Sequence, residues 1–176
     1  LDISQIIKKN ISDLSYFNDY SQSNKIDPSI FVDGLEHNKI IFINGRIEKI
    51  DFNFEDQNKI EIIDETKKDI SFDYENSLID LNSAFTDKVF KILIKKNYSL
   101  KKPLIIYHSI NDEIKSTNIN LRLDFELGEN SCLKLIDYFS NNTAKNFINI
   151  FYNFNLEKDS ILKNYKIYKF INNNLK

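Results

Sequence analysis

The 176-residue sequence contains no tryptophan or methionine, one cysteine, two prolines and three glycines. The single cysteine, Cys132, excludes an internal disulfide or a metal site made of several thiols, as is common in a reducing compartment. No apolar run approaches the roughly 20 residues that cross a bilayer, and the start, LDISQIIKKN, lacks a signal peptide's long apolar segment. We therefore expect a soluble, cytoplasmic protein.

Neither sign of charge dominates the sequence. The formal net charge is −2, with 24 basic and 26 acidic residues, and the lysines are scattered among acids. Such a surface offers no basic face to neutralise a row of phosphates, so we expect no nucleic-acid partner. A hydrophobic content of 41% indicates a globular chain, long enough for one sizeable domain or one domain with an appended segment.

The first half of the sequence predicts short, mixed elements. Apolar residues at helical spacing predict an amphipathic helix over residues 2–20, and a polar connector with Pro28 follows at 21–29. Asn44-Gly45 is the favoured pair for a two-residue hairpin turn. It predicts paired strands at 39–43 and 46–52. A strand at 59–63, an exposed acidic loop at 64–75 and a helix at 76–86 complete this half.

The second half predicts strands separated by short polar joints, with little room for crossover helices. In residues 119–127, five apolar residues alternate strictly with polar ones, which is typical of a strand with one buried face. We divide the chain into an N-terminal helix and hairpin region, 1–75, and a mainly β core, 76–176. The predicted strands of the core are 89–94, 104–110, 119–127, 133–139, 147–156 and 161–171.

The joints of the core repeat a pattern: an aliphatic residue, two residues, Asn or Asp, two residues, then leucine. It occurs as IKKNYSL at 94–100, LGENSCL at 127–133 and LEKDSIL at 156–162, with FEDQNKI at 54–60 as a degraded relative centred on Gln57. A recurring strand–corner–strand unit predicts a parallel β-helix, in which each coil buries its apolar side chains against its neighbours. The alternative is a β-sandwich or a meander whose turns look alike.

Several ordered motifs resemble the SufB/SufD family. The segment SLIDLNSAFTDKVFKILIKKNYSLKKPLIIYHS is similar to the family's helix with Leu-Asn-x-Ala-Phe, the strand and corner after it, and a Pro-Leu strand. NLRLDFELGENSCLKLIDYF resembles its arginine-led strand, corner and return strand, and KNFINIFYNFNLEKDSILKNYKIYKF the next coil. IFINGRIEKIDF is similar to a strand near the N-terminus of the SufD branch. Together these motifs cover roughly residues 38–176.

The resemblance implies a right-handed parallel β-helix that follows a partly helical N-terminal region. It implies a SufD-like, non-catalytic scaffold that assembles iron–sulfur clusters with a SufB-like subunit and the ATPase SufC. The family's later coils, cluster-associated residues and ATPase-binding helices have no counterpart in the sequence. Because the chain begins with leucine as well, we expect an N-terminal fragment; the alternative is a degenerate protein that cannot do the whole job. Any iron–sulfur cluster would be handled by the assembled complex.

Few single residues suggest chemistry. Cys132 fits a packing or surface cysteine better than a ligand or nucleophile. We expect His108 to be structural, either in the core with a hydrogen-bond partner or in solvent at the end of its strand, and His37 to lie in a polar loop. Arg46 and Arg122 are the only arginines beside 22 lysines, so each hints at a bidentate contact that lysine cannot copy. For Arg122 we favour pairing with Asp124 or Glu126 neighbours on the next coil.

Asp124 and Glu126 lie on the polar face of one strand. In a carbohydrate-active β-helix such acids would act as general acid and base, which is the enzymatic alternative. No second acid cluster lies at matching register, and no glycine-rich phosphate loop is present. We therefore predict no catalytic residues and no metal ligands, while the cofactor-binding residues stay unknown. A purely structural solenoid module is the third possibility.

Overall fold

The computed structural model describes residues 15–16, 31–66, 76–86, 88–110, 117–141 and 147–170. These residues form a mainly β structure with one helix. In chain order the elements are β1 (Ser15–Tyr16), β2 (Asn38–Ile43), β3 (Arg46–Asp51), β4 (Ile60–Thr66), α1 (Ser77–Phe85), β5 (Lys88–Ile94), β6 (Leu104–Ile110), β7 (Thr117–Leu127), β8 (Cys132–Asn141), β9 (Phe147–Leu156) and β10 (Ile161–Phe170).

Most of the predicted elements are confirmed to within a few residues. Asn44 and Gly45 have φ angles of 53° and 81°, which the turn between β2 and β3 requires and which these two residues tolerate best. The helix at 76–86 and all six strands of the core are also present. The prediction of a helix at 2–20 is wrong at Ser15–Tyr16, which pairs with β7 as a short strand. The rest of that segment and the connector 21–29 lie outside the described residues.

The boundary of the predicted acidic loop also needs correction. Residues 64–66 continue β4 because they pair with β5, and two lysines of β5 face their acids. Lys88 Nζ lies 2.7 Å from the Asp64 carboxylate, and Lys91 Nζ lies 3.0 Å from that of Glu65. The polar composition therefore reflects a solvent-facing strand, not a loop, up to residue 66. Residues 67–75 lie outside the described part of the chain.

Two mixed sheets make up the structure. Sheet A has β4, β5, β7 and β9 side by side, with β1 along the start of β7, and sheet B has the order β3, β2, β6, β8, β10. Among the strands of the described residues, β2–β3 and β4–β5 pair antiparallel and every other pair is parallel. From β5 onward the chain alternates between the sheets. The antiparallel meander is therefore wrong for β5–β10.

The alternation defines three successive units of one sheet-A strand and one sheet-B strand: unit 1 (residues 88–110), unit 2 (117–141) and unit 3 (147–170). Equivalent strands of neighbouring units pair in parallel, so equivalent side chains lie next to one another. The main core lies between the sheets, since Leu123 and Phe125 from β7 cluster with Leu104 and Leu135 from β6 and β8. Burial of these apolar side chains is the main stabilising contribution.

Strand β6 is the central strand of sheet B and is buried on both faces. Its residues Leu104 and Ile106 face sheet A, while Ile105 and Tyr107 belong to a second cluster on the outer face. Phe31 and Val32 pack against that outer cluster. This covering explains why β6 reads as an almost continuous apolar run instead of alternating.

The three predicted corners are confirmed as one repeated structure. Asn97, Asn130 and Asp159, the fourth residues of the three motifs, all have φ angles of 55° or 56°. The corners also bond to one another: Asn97 N–H donates to Glu129 O over 2.7 Å, and Asn130 N–H to Lys158 O over 3.0 Å. The repeat thus encodes a left-handed residue that only Asn, Asp or Gly adopts readily.

The approach between corners is close at Gly128, where a Cβ atom would meet the Lys96 main-chain nitrogen at 2.6 Å. A side chain at this position would push unit 2 away from unit 1. In the degraded copy at 54–60 the left-handed residue is Asn58, with a φ angle of 60°. The prediction centred this copy on Gln57, which is wrong by one residue. Lys95 N–H donates to Lys59 O over 3.0 Å, so this turn also joins the series.

Asn76 caps the N-terminus of helix α1, since its side chain accepts the Leu78 N–H, and the helix ends where Thr86 N–H bonds to Asn82 O. It packs on β7 and β9. Among the residues that the structure describes, no helix is both long and apolar enough to cross a membrane.

Candidate functional site

Three polar residues from three strands meet inside the core: the buried His108 on β6, the buried Asp137 on β8 and the partly buried Tyr152 on β9. We call this group the core polar cluster. Asp137 is completely buried, and His108 is 8% exposed. Burying ionisable groups is costly unless they bind one another, so such a cluster is the first place to look for chemistry.

Strand register brings His108 into a row of aromatic rings across sheet B. Phe42, His108, Phe139 and Tyr168 lie in register on β2, β6, β8 and β10. The ring centroids are 5.5, 4.7 and 4.9 Å apart, and the planes of neighbouring rings are nearly parallel. The imidazole thus occupies an aromatic position of the stack, which fixes the plane of its ring.

The hydrogen bonds of the cluster follow from a count of protons. The Tyr152 hydroxyl donates its only proton to Asp137 Oδ1 and lies 2.8 Å from His108 Nε2. It must therefore accept from His108, which places the imidazole proton on Nε2. Asp137 Oδ1 lies 3.8 Å from the same nitrogen, too far for a direct hydrogen bond. Asp137 Oδ2 has no hydrogen-bond partner among the described residues.

The electrostatics keep the ring and the phenol neutral. Burial lowers the pKa of His108; the Asp137 carboxylate opposes this shift, and Lys166 adds to it. Burial also raises the pKa of Tyr152 well above its ordinary value, and the adjacent Asp137 raises it further. A neutral imidazole and a neutral phenol therefore surround the Asp137 carboxyl group at neutral pH.

This arrangement satisfies buried polar atoms but does not resemble a reaction centre. A general acid or base must reach a substrate proton, and the cluster uses its donors internally. A small cavity beside His108 has Phe42, Ile119, Phe139 and Ile150 in its lining, and its described lining contains no carboxylate or cation. The geometry therefore indicates a structural cluster.

Of the two positions predicted for His108, in the core or in solvent, the structure confirms the core position. The ring faces inward and has a hydrogen-bond partner. His37 is placed as predicted in a loop, but it is buried: Nδ1 contacts Leu35 O at 2.6 Å, and Nε2 contacts the Tyr107 hydroxyl at 2.7 Å. Tyr107 points to the outer face of sheet B, while His108 points to the inner face. The two histidines therefore lie on opposite sides of a sheet.

Cys132 is a free, half-buried cysteine at the start of β8. Lys134, two residues along the same strand, is exposed. A reactive thiol needs a neighbouring cation or base, and no ion pair or hydrogen bond joins Cys132 to one among the described residues. The residue fits the packing role that its sequence position favours.

Arg122 forms the expected bidentate contact, but within its own strand. Its Nε donates to Asp124 Oδ1 over 3.0 Å, and its second contact to the same carboxylate is 3.5 Å. Its guanidinium lies 5.2 Å from the centre of the Phe151 ring on β9. On the next unit Arg122 therefore contacts an aromatic ring, whereas we expected an acid there. Arg46 is the first residue of β3.

The enzymatic alternative depended on Asp124 and Glu126. Asp124 is engaged by Arg122, and its neighbours at the same register are Lys91 and Asn153. No described carboxylate lies beside Asp124 on a neighbouring strand, so the structure does not bring together a carboxylate pair there. Sequence alternation had placed both acids correctly on the outer face of sheet A.

Asn82, in the Leu-Asn-x-Ala-Phe motif, attaches helix α1 to sheet A. Its fully buried amide donates to Leu121 O over 3.1 Å and to Asn149 O over 2.8 Å. Asn149 returns a bond of 2.9 Å to Leu78 O, and the Thr86 hydroxyl donates to Asn82 Oδ1. The motif therefore has a defined structural task, which is to hold the helix across β7 and β9.

Sequence reasoning missed the roles of Asp137, Tyr152 and Glu55. Asp137 shares the inward parity of Leu133 and Leu135, so a lone carboxylate on an apolar face was the available signal. Glu55 had no such signal. Its carboxylate accepts four hydrogen bonds, from the Tyr98 hydroxyl, the Asn38 amide and the main-chain N–H groups of residues 101 and 102.

Neither a metal centre nor a relative identifies the chain. Within the described ranges, no three or more histidine, cysteine, aspartate or glutamate side chains are grouped closely enough to hold a metal ion. Comparison with models of protein families and with curated proteins finds no match.

Proposed function

We propose that the chain is a SufD-like, non-catalytic scaffold subunit of the SUF iron–sulfur assembly machinery, acting in the cytoplasm with a SufB-like subunit and the ATPase SufC. The proposal begins from the motif resemblance. It is supported by the order in which those motifs appear: helix α1, strand β5, a corner, strand β6, and then two further strand pairs.

We also propose that units 1 to 3 are coils of a right-handed parallel β-helix. Parallel pairing of equivalent strands, together with corner-to-corner hydrogen bonds, supports stacking of one unit upon the next. The right hand follows from the resemblance and from the handedness of nearly all parallel crossovers.

The observation that carries the scaffold role is that the polar residues of the described core serve the fold. Asn82 holds the helix, His108 continues an aromatic row, and Arg122 is paired with Asp124. Function would then reside in surfaces that bind other subunits. Any iron–sulfur cluster is cargo of the whole complex in this proposal.

Co-purification tests the proposal. A tagged chain expressed with SufB and SufC homologues of its source should retain both through size-exclusion chromatography. A variant with Asn82→Ala, which loosens the helix without altering the exposed strands, is the control for general unfolding. A folded chain that elutes alone in the presence of both homologues would contradict the proposal.

A further inference from the structure

Four hydrogen-bond donors surround the carboxylate of Glu55, two at each oxygen. Glu55 Oε1 accepts from the Asn38 amide over 2.6 Å and from Lys102 N–H over 3.2 Å. Glu55 Oε2 accepts from the Tyr98 hydroxyl over 2.7 Å and from Lys101 N–H over 3.1 Å. Each oxygen therefore has one side-chain donor and one main-chain donor, an arrangement that matches the two acceptor atoms of a planar carboxylate.

The two side-chain donors are fixed by contacts that do not involve Glu55. The Asn38 amide also donates to Lys102 O over 3.1 Å, and Asn38 N–H donates to Pro103 O over 2.8 Å. Asn38 is completely buried, and Tyr98 is buried as part of the main core cluster. The two main-chain donors belong to successive residues, which is a common arrangement for binding anions. Strand β2 and unit 1 therefore build the site, and Glu55 is the group that enters it.

The electrostatics of the site favour an anion. Burial raises the pKa of Glu55, but the hydrogen bonds from Tyr98, Asn38 and the two main-chain N–H groups together bring it below its ordinary value. Burial raises the pKa of Tyr98, and the bond to Glu55 raises it further, so the phenol keeps the proton that it donates. All four groups thus donate to the ligand, as an ionised carboxylate requires.

Glu55 holds the middle of the loop between β3 and β4, residues 52–59, against unit 1. Apart from Phe52 and Glu55, the residues of this loop are exposed. Phe52 packs against the main core at the start of the loop. Asp56 forms an ion pair of 2.5 Å with Lys101, but both side chains are about half exposed, and such surface pairs contribute little. Release of the Glu55 carboxylate would therefore free the centre of the loop.

We propose that the four donors form a carboxylate-binding site, that Glu55 is its resident ligand, and that loop 52–59 is a latch which a competing carboxylate releases. A neutral amide in the same place would turn its NH₂ group toward two of the four donors, so the site selects a carboxylate. Nothing in this site depends on the SUF assignment. Failure of the ligand experiment below and failure of co-purification are therefore separate results.

The test removes the resident ligand from the full chain and supplies a free one. Glu55→Ala leaves the four donors without their acceptor, so formate should bind in its place. Titration with formate should shift the amide NMR signals of Asn38, Lys101 and Lys102 as one saturable site. Formate has three non-hydrogen atoms, so we expect a Kd no tighter than about 1 mM. The parent chain should not respond, because its own carboxylate is tethered at the site.

Matched controls separate a carboxylate site from effects of salt. Asp56→Ala removes the next acid of the same loop, leaves Glu55 in place and should not respond to formate. Acetate should act on Glu55→Ala as formate does, whereas acetamide, its neutral counterpart, and sodium chloride at equal ionic strength should not. Adding Tyr98→Phe to Glu55→Ala should weaken formate binding about fivefold, because one donor is lost.

Thermal unfolding provides a second readout. A ligand that binds the folded chain alone stabilises it, so formate well above its Kd should raise the Tm of Glu55→Ala and acetamide should not. Glu55→Gln keeps the shape of the side chain and serves the same comparison if the alanine variant does not fold. The proposal is wrong if formate leaves both variants unchanged, if acetamide or inorganic phosphate acts as strongly as formate, or if Asp56→Ala responds equally.

Discussion

Units 2 and 3 have the same strand pattern and very different burial. In β7, Leu121, Leu123 and Phe125 are each at most 2% exposed. Their neighbours in register on β9, Ile150, Tyr152 and Phe154, are only partly buried, and Leu156 at the end of β9 is 47% exposed. Unit 2 has a neighbour on each side, whereas unit 3 has one among the described residues. Burial in this fold therefore depends on stacking more than on the residues of any single unit.

The largest expected change in the free energy of unfolding comes from making the same substitution at equivalent positions of units 2 and 3. Phe125 and Phe154 are in register, with ring centroids 5.1 Å apart. Phe125→Ala should reduce the free energy of unfolding by about 3–5 kcal/mol, because it leaves a cavity between two units. Phe154→Ala should cost less than about half as much, since that side chain is already partly hydrated. Urea denaturation of both variants measures the difference, and equal losses would contradict the comparison.

The difference between local patterns and contacts made by stacking also explains which features the sequence could predict. Alternation and the Asn-Gly pair located the strands and hairpin because these signals are local. The corner motif predicted equivalent positions because a left-handed residue must recur where backbones meet. By contrast, Tyr152 and Asp137 lie 15 residues apart on different sheets, and their bond depends on how the sheets face each other. The four donors to Glu55 likewise come from distant segments, which no periodic pattern reveals.

The second-largest change in stability is expected at the core polar cluster, where Tyr152 of unit 3 contacts Asp137 of unit 2. Tyr152→Phe should reduce the free energy of unfolding by about 1–3 kcal/mol, because it leaves the fully buried Asp137 carboxyl group without its hydrogen-bond donor. Tyr165→Phe, at an exposed tyrosine of the same unit, is the control and should change stability by less than about 0.5 kcal/mol.

A double variant separates the lost bond from lost packing. Adding Asp137→Leu to Tyr152→Phe removes the unpaired acid and continues the apolar face formed by Leu133 and Leu135. The free energy of unfolding should then regain most of what Tyr152→Phe alone removes. If the double variant is less stable than Tyr152→Phe alone, the cluster contributes more than the satisfaction of one buried group.

The corners offer a smaller test of the same comparison. Asn130→Ala should cost about 1–2 kcal/mol, because alanine is strained at a φ angle of 55°. Asn130→Gly removes the strain and should cost less than half of that. Asp159→Ala has the same conformational problem at 56°, but its corner stacks on unit 2 alone among the described residues and is freer to relax. Thermal unfolding of the three variants should rank Asn130→Ala as the least stable.

At neutral pH the smallest expected effect is that of His108, which acts through the pH dependence of stability. Burial lowers the pKa of His108, with Asp137, Tyr152 and Lys166 as the charged or titratable groups around the ring. The unfolded chain therefore takes up a proton near pH 6.5 that the folded chain resists, so stability falls as the pH drops below that value. His108→Phe continues the aromatic row and removes this proton. Between pH 7 and 5 the free energy of unfolding of the variant should fall less steeply, by up to about 1.4 kcal/mol per pH unit. Parallel curves for the two proteins would show that unit 3 admits enough water to let His108 titrate normally.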